Sequence, residues 1–352
     1  MKQYQQVLRN ILASGRDKES GRPNMPHVLG ISGDVILMDL QEGFPLLTTK
    51  KMPWKMIVHE LLWFLRGETN IKYLVDNDVH IWDGDAYRWY QKISKEYNKR
   101  CPDWLREIVI STIDDFIEAV KEQRGCTIGG YKYGDLGKVY GHQWRNQNGV
   151  DQILDIIMGL TTNPYSRYHI LDAWNKRDFP EMALPPCHLL YQFIVRPLTD
   201  EERIDWMRNN VSLKDKVKVL GTRQPDQDFF EPYNVPKFFL DMSMYQRSCD
   251  TFLGVPFNIA SMSLLQMIMA KVANMEPGTS RWIGGDVHIY LDHIPVVKEQ
   301  IDRQPRSLPK MKINKELKNL HDILTLTVDD FELIDYKPYG KLKGELFTGY
   351  SK

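Results

Sequence analysis

The chain has 352 residues, of which 42% are hydrophobic, so it can form one large domain or two around a substantial core. Lys and Arg together number 46, as do Asp and Glu, and the formal net charge at pH 7 is zero. This balance excludes an overall basic field that would hold nucleic acid, so any anionic ligand must be bound by local geometry.

The cysteines and the N-terminus indicate the cellular compartment. The four cysteines, at positions 101, 126, 187 and 249, lack the paired spacings of zinc sites and of small disulfide-bonded domains. The first residues lack the basic and apolar segments of a secretory signal, and no apolar run approaches the length that crosses a bilayer. We therefore expect a cytoplasmic protein with no metal site, no membrane segment and no nucleic-acid partner.

Hydrophobic periodicity predicts the elements of the N-terminal part of the chain. Apolar residues at three-and-four spacing predict a helix over residues 1–15, and alternation within 28–47 predicts a pair of strands. A basic loop with Lys50 and Lys51 follows. Residues 54–65 are apolar on nearly all sides, which is typical of a buried helix.

Glu60 is the one carboxylate within that apolar helix. A buried carboxylate must be paired, protonated or next to water, because burial of an unpaired charge costs roughly several kcal/mol. Glu60 is therefore the best acid–base candidate in the first half of the chain. A structural ion pair with an arginine is the equally weighted alternative, since such pairs also shift pKa values.

The middle of the chain predicts helices interrupted by turns. Residues 84–133 carry charged and aromatic residues at helical spacing and no cluster of reactive groups. Residues 134–145 predict a turn, a strand and a second turn, and their glycines are too closely spaced for a nucleotide-phosphate loop. An amphipathic helix over 150–160 follows, and then a strand within 165–174 that carries Arg167 near its start.

The stretch Ala-Leu-Pro-Pro-Cys-His at residues 183–188 precedes an apolar strand that runs to Val195. Two prolines stiffen the turn and hold the thiol of Cys187 at the mouth of the strand, where it is a candidate nucleophile. A lone cysteine beside apolar residues also fits an inert core position. The polar, proline-containing residues 196–237 then predict an elaborated connection between two strands.

A second polar cluster lies within residues 245–258, at the end of a strand that begins at Phe238. Its two motifs, Tyr-Gln-Arg-Ser-Cys-Asp and Leu-Gly-Val-Pro-Phe-Asn, bring guanidinium, hydroxyl, carboxylate and amide groups together. Such groups suit an anionic ligand that forms hydrogen bonds. The cluster therefore favours a reactive Cys187 over an inert one.

The C-terminal part of the chain predicts a core helix, a strand and a set of short strands. The methionine-rich segment 258–272 predicts the helix. Alternation over 282–293 predicts a strand in which His288 and Tyr290 lie on one face and could hold a sugar hydroxyl, although two buried and satisfied side chains fit the pattern equally. Residues 309–352 alternate short strands with turns.

Several of these stretches together resemble the thymidylate synthase family, and they cover most of the chain in one register. They are residues 54–65, Trp82-Asp83, 134–145, Pro-Pro-Cys-His, 245–258 and 285–290. Pro-Cys-His in combination with Gln-Arg-Ser-Cys-Asp and Leu-Gly-Val-Pro-Phe-Asn is highly specific. The resemblance implies a single catalytic domain over residues 1–352, with insertions at about 84–133 and 196–237, where extra residues are tolerated.

The resemblance also implies a fold and a reaction. The fold is α+β, with a large mixed β-sheet and flanking helices, and the sheets of a homodimer pack back to back. The reaction is the reductive methylation of dUMP to dTMP, with 5,10-methylenetetrahydrofolate as donor of the carbon and the hydride. Because C5 of uracil is not nucleophilic enough alone, the Cys187 thiolate first adds to C6.

Most of the matched residues bind the nucleotide. By resemblance, Arg22, Arg247 and Ser248 bind the phosphate, and Arg167 reaches it from the partner subunit. Arg247 also favours the thiolate of Cys187. The other residues matched to the nucleotide are His188, Gln246, Asp250, Asn258, His288 and Tyr290, of which the last two hold the ribose 3′-hydroxyl.

The resemblance assigns chemical roles to a second set. Glu60 manages protons through water at O4, and Tyr140 assists removal of the C5 proton; Arg247, Asp250 and Asn258 complete the catalytic set. Asn258 can accept a hydrogen bond from N3–H and donate one to O4, which favours uracil, whereas Asp at this position marks cytosine-using relatives. The residues matched to the folate are Lys50, Trp82, Asp250, Leu253, Gly254 and Phe257.

Three departures from the family pattern bear on the product. The loop after Arg22 reads Pro-Asn-Met, Tyr168 replaces a second phosphate arginine, and the tail from Leu342 to Lys352 differs from the usual apolar segment. Loss of a charge-assisted contact costs roughly 1.5–3 kcal/mol. A tail that closes poorly admits water, so a dUMP hydroxymethylase, which makes 5-hydroxymethyl-dUMP from the same substrates, is the alternative. A third interpretation, a silent homologue or RNA-binding module, conflicts with the neutral charge and the intact Cys187.

Overall fold

The structure, a computed structural model, describes residues 1–21, 25–103, 109–123, 130–212 and 227–348. Within these residues the main sheet has six strands, β1 (Arg16–Lys18), β2 (Val28–Asp39), β3 (Ile170–Asp172), β4 (His188–Pro197), β5 (Phe238–Asp250) and β6 (Glu276–Tyr290). Their order is β1-β2-β6-β5-β4-β3. Strands β5 and β6 are parallel and all other neighbours are antiparallel, so the sheet is mixed, as expected for the α+β fold. A separate hairpin pairs β7 (Lys310–Ile313) with β8 (Phe331–Ile334).

Helices flank the sheet. The described helices are α1 (Lys2–Ser14), α2 (Trp54–Leu65), α3 (Lys72–Asp76), α4 (Asp83–Arg100), α5 (Ile113–Lys121), α6 (Tyr140–Asn146), α7 (Gln152–Thr162), α8 (Asp200–Asn210), α9 (Gln227–Phe230), α10 (Gly254–Val272), α11 (Ile294–Asp302) and α12 (Leu320–Leu324). The predicted helices over 1–15, 54–65 and 150–160 are confirmed by α1, α2 and α7. The helical prediction for 84–133 is confirmed by α4 and α5 where the structure describes this range, and residues 104–108 and 124–129 lie outside the described residues.

Helix α10 connects β5 to β6 and packs on both. Parallel neighbours need such a crossover, because a short turn cannot return the chain to the same end of the sheet. Contrary to the expectation from the sequence, this helix is long and apolar enough to cross a membrane by length and composition, yet 78% of its apolar window is buried inside the structure. It is therefore the core helix that the sequence predicts.

Two local predictions are wrong. Residues 28–47 form one long strand rather than a pair, since β2 ends at Asp39 and a turn follows in which Gly43 has φ +136°. A Cβ atom there would lie 2.8 Å from the Leu308 side chain, so the turn requires glycine. Residues 134–145 contain α6 instead of a strand. Seven residues are too few for helical periodicity to outweigh the β-forming aromatic residues of this segment.

The strand order brings distant stretches of sequence to one edge of the sheet. Because β5 and β6 are parallel, both end at this edge, and β4, antiparallel to β5, begins there. The register aligns His188 with Gln246 and Asp250 with His288. The Cys187 stretch, the 245–258 stretch and the end of β6 therefore meet at this edge.

The described parts of the segment 196–237, residues 196–212 and 227–237, form a small core of their own. Helix α8 begins with a capping box between Thr199 and Glu202, a standard helix start. Behind it, Met207, Phe230 and Val235 form a hydrophobic cluster separate from the main core. These described parts join the sheet at the end of β4 and the start of β5, away from the edge that carries Cys187.

Candidate active site

Cys187 immediately precedes β4, and its neighbour in space is Arg247 on β5. The cysteine side chain is half-buried, and Arg247 Nη2 lies 3.9 Å from Cys187 Sγ. The backbone pairs as well, since Arg247 N donates to Cys187 O at 2.8 Å. A guanidinium this close favours the thiolate, which is the reactive form of a cysteine nucleophile.

The prolines before Cys187 also fix the position of Arg247. Arg247 Nε donates to Pro186 O, and Nη2 donates to Pro185 O, each at 2.8 Å. The guanidinium lies 5.4 Å from the Trp174 ring centroid. The rigid turn predicted from the sequence therefore holds both the thiol and the cation beside it.

Tyr140 and His188 form a neutral layer next to the thiol. The Tyr140 hydroxyl accepts from Cys187 N at 2.6 Å, and its ring stacks on His188 with centroids 4.5 Å apart. His188 Nδ1 shares a hydrogen bond of 2.6 Å with the Tyr191 hydroxyl. Burial raises the pKa of Tyr140 well above its ordinary value and lowers the pKa of His188 to about 3. At neutral pH the phenol therefore keeps its proton, and the imidazole adds no charge.

Glu60 lies on α2, is 7% exposed and accepts a hydrogen bond of 2.8 Å from Trp82 Nε1. Burial raises the pKa of Glu60 to about 7, and the indole bond opposes this rise. Among the described residues its partner is an indole and not an arginine, so the ion-pair alternative is not what the structure has. A carboxyl group with a pKa near neutrality can both accept and release a proton.

Two fully buried side chains orient the amide of Asn258, which lies near the start of α10. Gln246 Nε2 donates to Asn258 Oδ1 at 3.1 Å and to Ser248 O at 3.0 Å. Gln246 Oε1 accepts from Trp282 Nε1 at 2.9 Å. Gln246 is 2% exposed and Trp282 is 0% exposed. Because both groups of the Gln246 amide are used, the orientation of Asn258 is fixed before any ligand arrives.

His288 and Tyr290 lie side by side at the end of β6, which confirms the predicted shared face. Their rings meet edge to face with centroids 5.6 Å apart. His288 Nδ1 bonds to Asp286 Oδ1 at 3.1 Å, and Lys18 Nζ donates to Asp286 Oδ2 at 2.6 Å. The His288 bond foremost, and then the Lys18 bond, hold the pKa of Asp286 down at about 2. Asp286 therefore stays ionised and fixes the imidazole.

The turn from β5 into α10 carries four of the residues matched to the folate. Asp250 Oδ1 accepts from the backbone N of Phe252 at 3.0 Å and of Leu253 at 3.3 Å. Leu253, Gly254 and Phe257 are half-buried, although most of α10 is buried. The start of α10 thus presents an apolar surface with a carboxylate at its border. This surface fits a flat ring that also carries hydrogen-bonding groups.

Lys50 and Trp82, the other residues matched to the folate, are buried. Lys50 is 4% exposed; its ammonium donates to Phe252 O and lies 4.0 Å from the Phe252 ring centroid. Burial lowers the pKa of Lys50 to about 8, and nearby Asp250 opposes this. Trp82 is 7% exposed, and its ring contacts Trp63 at 5.7 Å between centroids. In this structure Lys50 supports the Asp250 turn, and Trp82 supports Glu60.

The residues matched to the phosphate are not all together. Ser248 is half-buried on β5 beside Arg247, but Arg167 is exposed in the loop before β3. Gln192, which donates to Arg167 O at 3.2 Å, is five residues along β4 from Cys187, roughly 17 Å of strand. Arg22 lies outside the described residues. This chain therefore brings Arg247 and Ser248 to the site and leaves Arg167 away from it.

Sequence reasoning missed three residues that act through others. They are Trp282, which orients Gln246, Asp286, which orients His288, and Tyr191, which bonds to His188. Asp286 could have been found, because it is two residues before His288 on an alternating strand and so shares its face. The other two contacts depend on distant packing.

Comparisons with known proteins agree with this geometry. The sequence profile of the family described as Thymidylate synthase matches residues 2–348. The thymidylate synthase of Mycoplasma mobile is 40% identical over 346 residues, which cover 98% of this chain and 99% of that protein. The thymidylate synthases of Malacoplasma penetrans and Mycoplasma pneumoniae are each 39% identical, with the same coverage. With the profile and these relatives spanning nearly its whole length, the chain belongs to the thymidylate synthase family.

Proposed function

We propose that this protein is a methyltransferase that makes dTMP from dUMP and 5,10-methylenetetrahydrofolate through a covalent bond between Cys187 Sγ and C6 of uracil. The observation that carries the proposal is the approach of Arg247 Nη2 to Cys187 Sγ at 3.9 Å. The fixed amide of Asn258 lies on the same edge of the sheet. The nucleophile follows the rigid turn before β4, the activating cation lies on β5, and the group that can select uracil lies on α10. Each of the three is thus held by a rigid element.

The residues divide the chemistry between them. Arg247 favours the Cys187 thiolate, whose addition to C6 creates an enolate that is nucleophilic at C5. Glu60, with a pKa raised by burial to about 7, exchanges a proton with water at O4. The Tyr140 hydroxyl keeps its proton because burial raises its pKa, so it orients water for removal of the C5 proton.

Asn258 selects the base. Its Oδ1 atom accepts from Gln246 and retains a second lone pair for N3–H of uracil, while Nδ2 donates to O4. A cytosine ring presents N3 as an acceptor and an amino group in place of O4, so it would leave buried polar groups unpaired. His288 and Tyr290 hold the ribose 3′-hydroxyl at the end of β6, and His188 and Gln246 support the base side of the site.

Bound methylenetetrahydrofolate supplies the one-carbon unit and the hydride. The half-buried surface of Leu253, Gly254 and Phe257 fits its pterin ring, and Asp250 binds the polar edge of that ring. Trp82 borders the ring from the α2 side and keeps Glu60 in place. Lys50, whose ammonium donates to Phe252 O behind the Asp250 turn, is the residue that we assign to the glutamate tail.

A homodimer completes the site. The strand register places exposed apolar residues on one face of the sheet; they are Val35, Leu37, Ile170, Ile194 and Tyr245. Exposed apolar residues that share one sheet face suit a protein interface. With two sheets packed back to back, Arg167 of one chain reaches the phosphate site of the other, beside Arg247, Ser248 and Arg22. We further infer one catalytic domain, with insertions at about 84–133 and 196–237, that works in the cytoplasm.

Product analysis tests the function. The full-length protein is incubated with dUMP and methylenetetrahydrofolate, and the nucleotide mass and the folate oxidation state are measured. We expect a nucleotide methylated at C5 together with one dihydrofolate for each product. A hydroxymethylated nucleotide without dihydrofolate would instead identify the hydroxymethylase, and no new nucleotide would refute both activities.

A further inference from the structure

Arg167 lies on the loop that connects α7 to β3, residues 163–169, here called the arginine loop. In the proposed dimer its exposed side chain acts at the phosphate site of the partner subunit. Pro164 lacks a backbone N–H and keeps Asn163 out of the helical region, so α7 ends and the loop begins at Asn163. An exposed cation that acts across an interface depends on the position of its loop. The residues that fix the arginine loop therefore bear on phosphate binding.

His169 is the one buried residue of the arginine loop, and 5% of its surface is exposed. Its Nε2 atom lies 3.1 Å from Asn163 O, and Nε2 is the donor because a carbonyl oxygen can only accept. Ser166 N donates to the same oxygen at 3.0 Å. His169 O accepts from Phe193 N at 2.9 Å, which joins the loop to β4. His169 therefore links the two ends of the loop, and Arg167 lies between them.

The His169 ring lies against Gly159, a glycine in the interior of α7. A Cβ atom on Gly159 would be 2.6 Å from His169 Cε1 and 2.8 Å from His169 Nδ1, whereas carbon atoms pack at about 3.5–4.0 Å. Asn163 N also donates to Gly159 O at 2.9 Å, so the start of the loop and the ring are fixed relative to the same residue. Glycine is disfavoured inside a helix, where alanine is the most favourable residue. The space that the ring needs accounts for glycine at this position.

We propose that His169 is a positioning residue: packed against Gly159 and bonded to Asn163 O, it holds Arg167 where the arginine reaches the phosphate of dUMP in the partner subunit. The proposal rests on the proposed function and adds the residues on which binding across the interface depends. Gln246 and Asp286 orient groups of their own chain, whereas His169 acts on the site of the other chain.

Displacement of the arginine loop should weaken nucleotide binding and leave the chemical steps unchanged. The phosphate does not react, so a contact with it has the same strength before and during the reaction. Loss of such a contact raises KM and leaves kcat unchanged. The groups around the nucleophile, Arg247 and Tyr140 among them, contact Cys187 through β5 and α6 rather than through the loop. A rise in KM without a fall in kcat is therefore the signature of the proposed role.

The first experiment compares Gly159→Ala with Gly340→Ala. Alanine is favoured over glycine in α7, so the helix should form, while its methyl group displaces the His169 ring. Gly340→Ala makes the same chemical change where a Cβ atom meets no described atom within 4 Å, and it serves as the matched control. We expect Gly159→Ala to raise KM for dUMP roughly tenfold with kcat unchanged, as for loss of one charge-assisted contact, and the control to change neither. A normal KM in Gly159→Ala, with dTMP formed at the usual rate, would overturn the proposal while the proposed function stands.

The second experiment tests the hydrogen bond of His169. Glutamine can place an N–H group near the position of Nε2, whereas leucine cannot, so KM for dUMP should rise in His169→Leu and return toward the normal value in His169→Gln. His321→Leu, which changes an exposed histidine on α12, is the control. Without ligands, limited trypsin cleavage after Arg167 should be faster in His169→Leu than in the unchanged protein. Equal KM values and equal cleavage rates would contradict the proposal.

The third experiment uses mixed dimers, isolated through two different affinity tags. A dimer of a His169→Leu subunit and an inactive Cys187→Ala subunit has one active site, which combines the intact Cys187 of the first with the intact arginine loop of the second. We expect this dimer to have the normal KM for dUMP. A dimer of an unchanged subunit and a subunit that carries both substitutions should have the raised KM.

The reverse pattern in the mixed dimers would overturn the proposal, because it would place the effect of His169 within its own chain. Absence of dTMP from the unchanged protein would instead refute the proposed function. In that case the rate of trypsin cleavage after Arg167 would still test whether His169 holds the arginine loop.

Discussion

The two ends of the candidate nucleotide site are built differently. At the base end, Asn258 is oriented by Gln246, which is 2% exposed, and Gln246 is held by the buried indole of Trp282. At the phosphate end, Arg167 is exposed and its neighbour Tyr168 is 90% exposed. The groups that orient Asn258 lie within one chain, whereas in the proposed dimer Arg167 of the partner subunit completes the phosphate end. We therefore expect base selection to depend on the folded chain and phosphate affinity to depend on assembly.

Glu60 gives the largest expected effect among the binding and proton-transfer residues of the base end. Glu60→Gln should lower kcat roughly 10²–10⁴-fold, the usual contribution of a general acid–base group. In the unchanged enzyme, kcat should depend on a group with a pKa of about 7, because burial raises the pKa of Glu60 to that value. Rate profiles against pH measure both. Glu68→Gln, which changes a half-buried carboxylate outside the site, is the control, and a profile unaffected by Glu60→Gln would remove Glu60 from the chemistry.

The same substitution should stabilise the fold. The pKa of Glu60 is raised from 4.5 to about 7, so as pH rises the unfolded chain releases this proton at a lower pH than the folded chain does. The free energy of unfolding therefore falls as pH rises between these two values. The loss amounts to roughly 3 kcal/mol above the folded pKa. Glu60→Gln lacks this loss, so it should unfold at a higher temperature than the unchanged protein above pH 7 and at the same temperature below pH 4.5. Equal melting temperatures throughout would contradict the burial of the charge.

Gln246 tests whether the base end is preorganised. Gln246→Leu leaves Asn258 without its donor and the Trp282 N–H without an acceptor, which costs about 1–3 kcal/mol. We expect kcat/KM for dUMP to fall roughly 10- to 100-fold, with a smaller fall for Trp282→Phe, which removes one hydrogen bond only. Steady-state kinetics on folded protein measure both. If both variants kept the kcat/KM of the unchanged enzyme, the orientation of Asn258 would not depend on this buried pair.

Arg167 tests the phosphate end. Arg167→Ala should raise KM for dUMP roughly tenfold or more, because a charge-assisted contact contributes about 1.5–3 kcal/mol. The same change at Arg208, an exposed arginine on α8, should leave KM unchanged. In a mixed dimer of Arg167→Ala and inactive Cys187→Ala subunits, one of the two sites combines an intact Cys187 from the first subunit with an intact Arg167 from the second. Mixing the two variants should therefore restore activity at that site. No recovery after subunit exchange would exclude a role for Arg167 across the interface.

Tyr168 gives the smallest expected effect. Tyr168→Arg returns a cation to the exposed loop and should lower KM for dUMP by up to roughly tenfold. Tyr165→Arg, at a residue 62% exposed in the same loop, is the control and should change KM little. A salt titration measures whether the gain is electrostatic, since such a gain shrinks as ionic strength rises. Equal effects of the two variants would argue against a specific phosphate contact.

Local patterns predicted the elements that carry the site but not the contacts between them. Runs of apolar residues identify α2 and β4, because burial sets their sequence directly. Helix α6 escaped detection because it is short. The partners of Glu60 and Gln246 lie 22 and 36 residues away in the sequence, and no local signal encodes such pairs. Lys50 is buried against Phe252 in the turn after β5. The sequence predicts where this turn lies but not its conformation, so the burial of Lys50 could not be predicted.

The most direct test of the covalent mechanism uses 5-fluoro-dUMP with methylenetetrahydrofolate. Because the C5 fluorine cannot leave as a proton does, the reaction should stop with both ligands attached to the protein. Peptide mapping by mass spectrometry should find the added mass on the peptide that contains Cys187, with none on Cys249, whose pKa is raised by burial and which is 0% exposed. Catalytic turnover of dUMP by a protein that forms no adduct at Cys187 would contradict the mechanism.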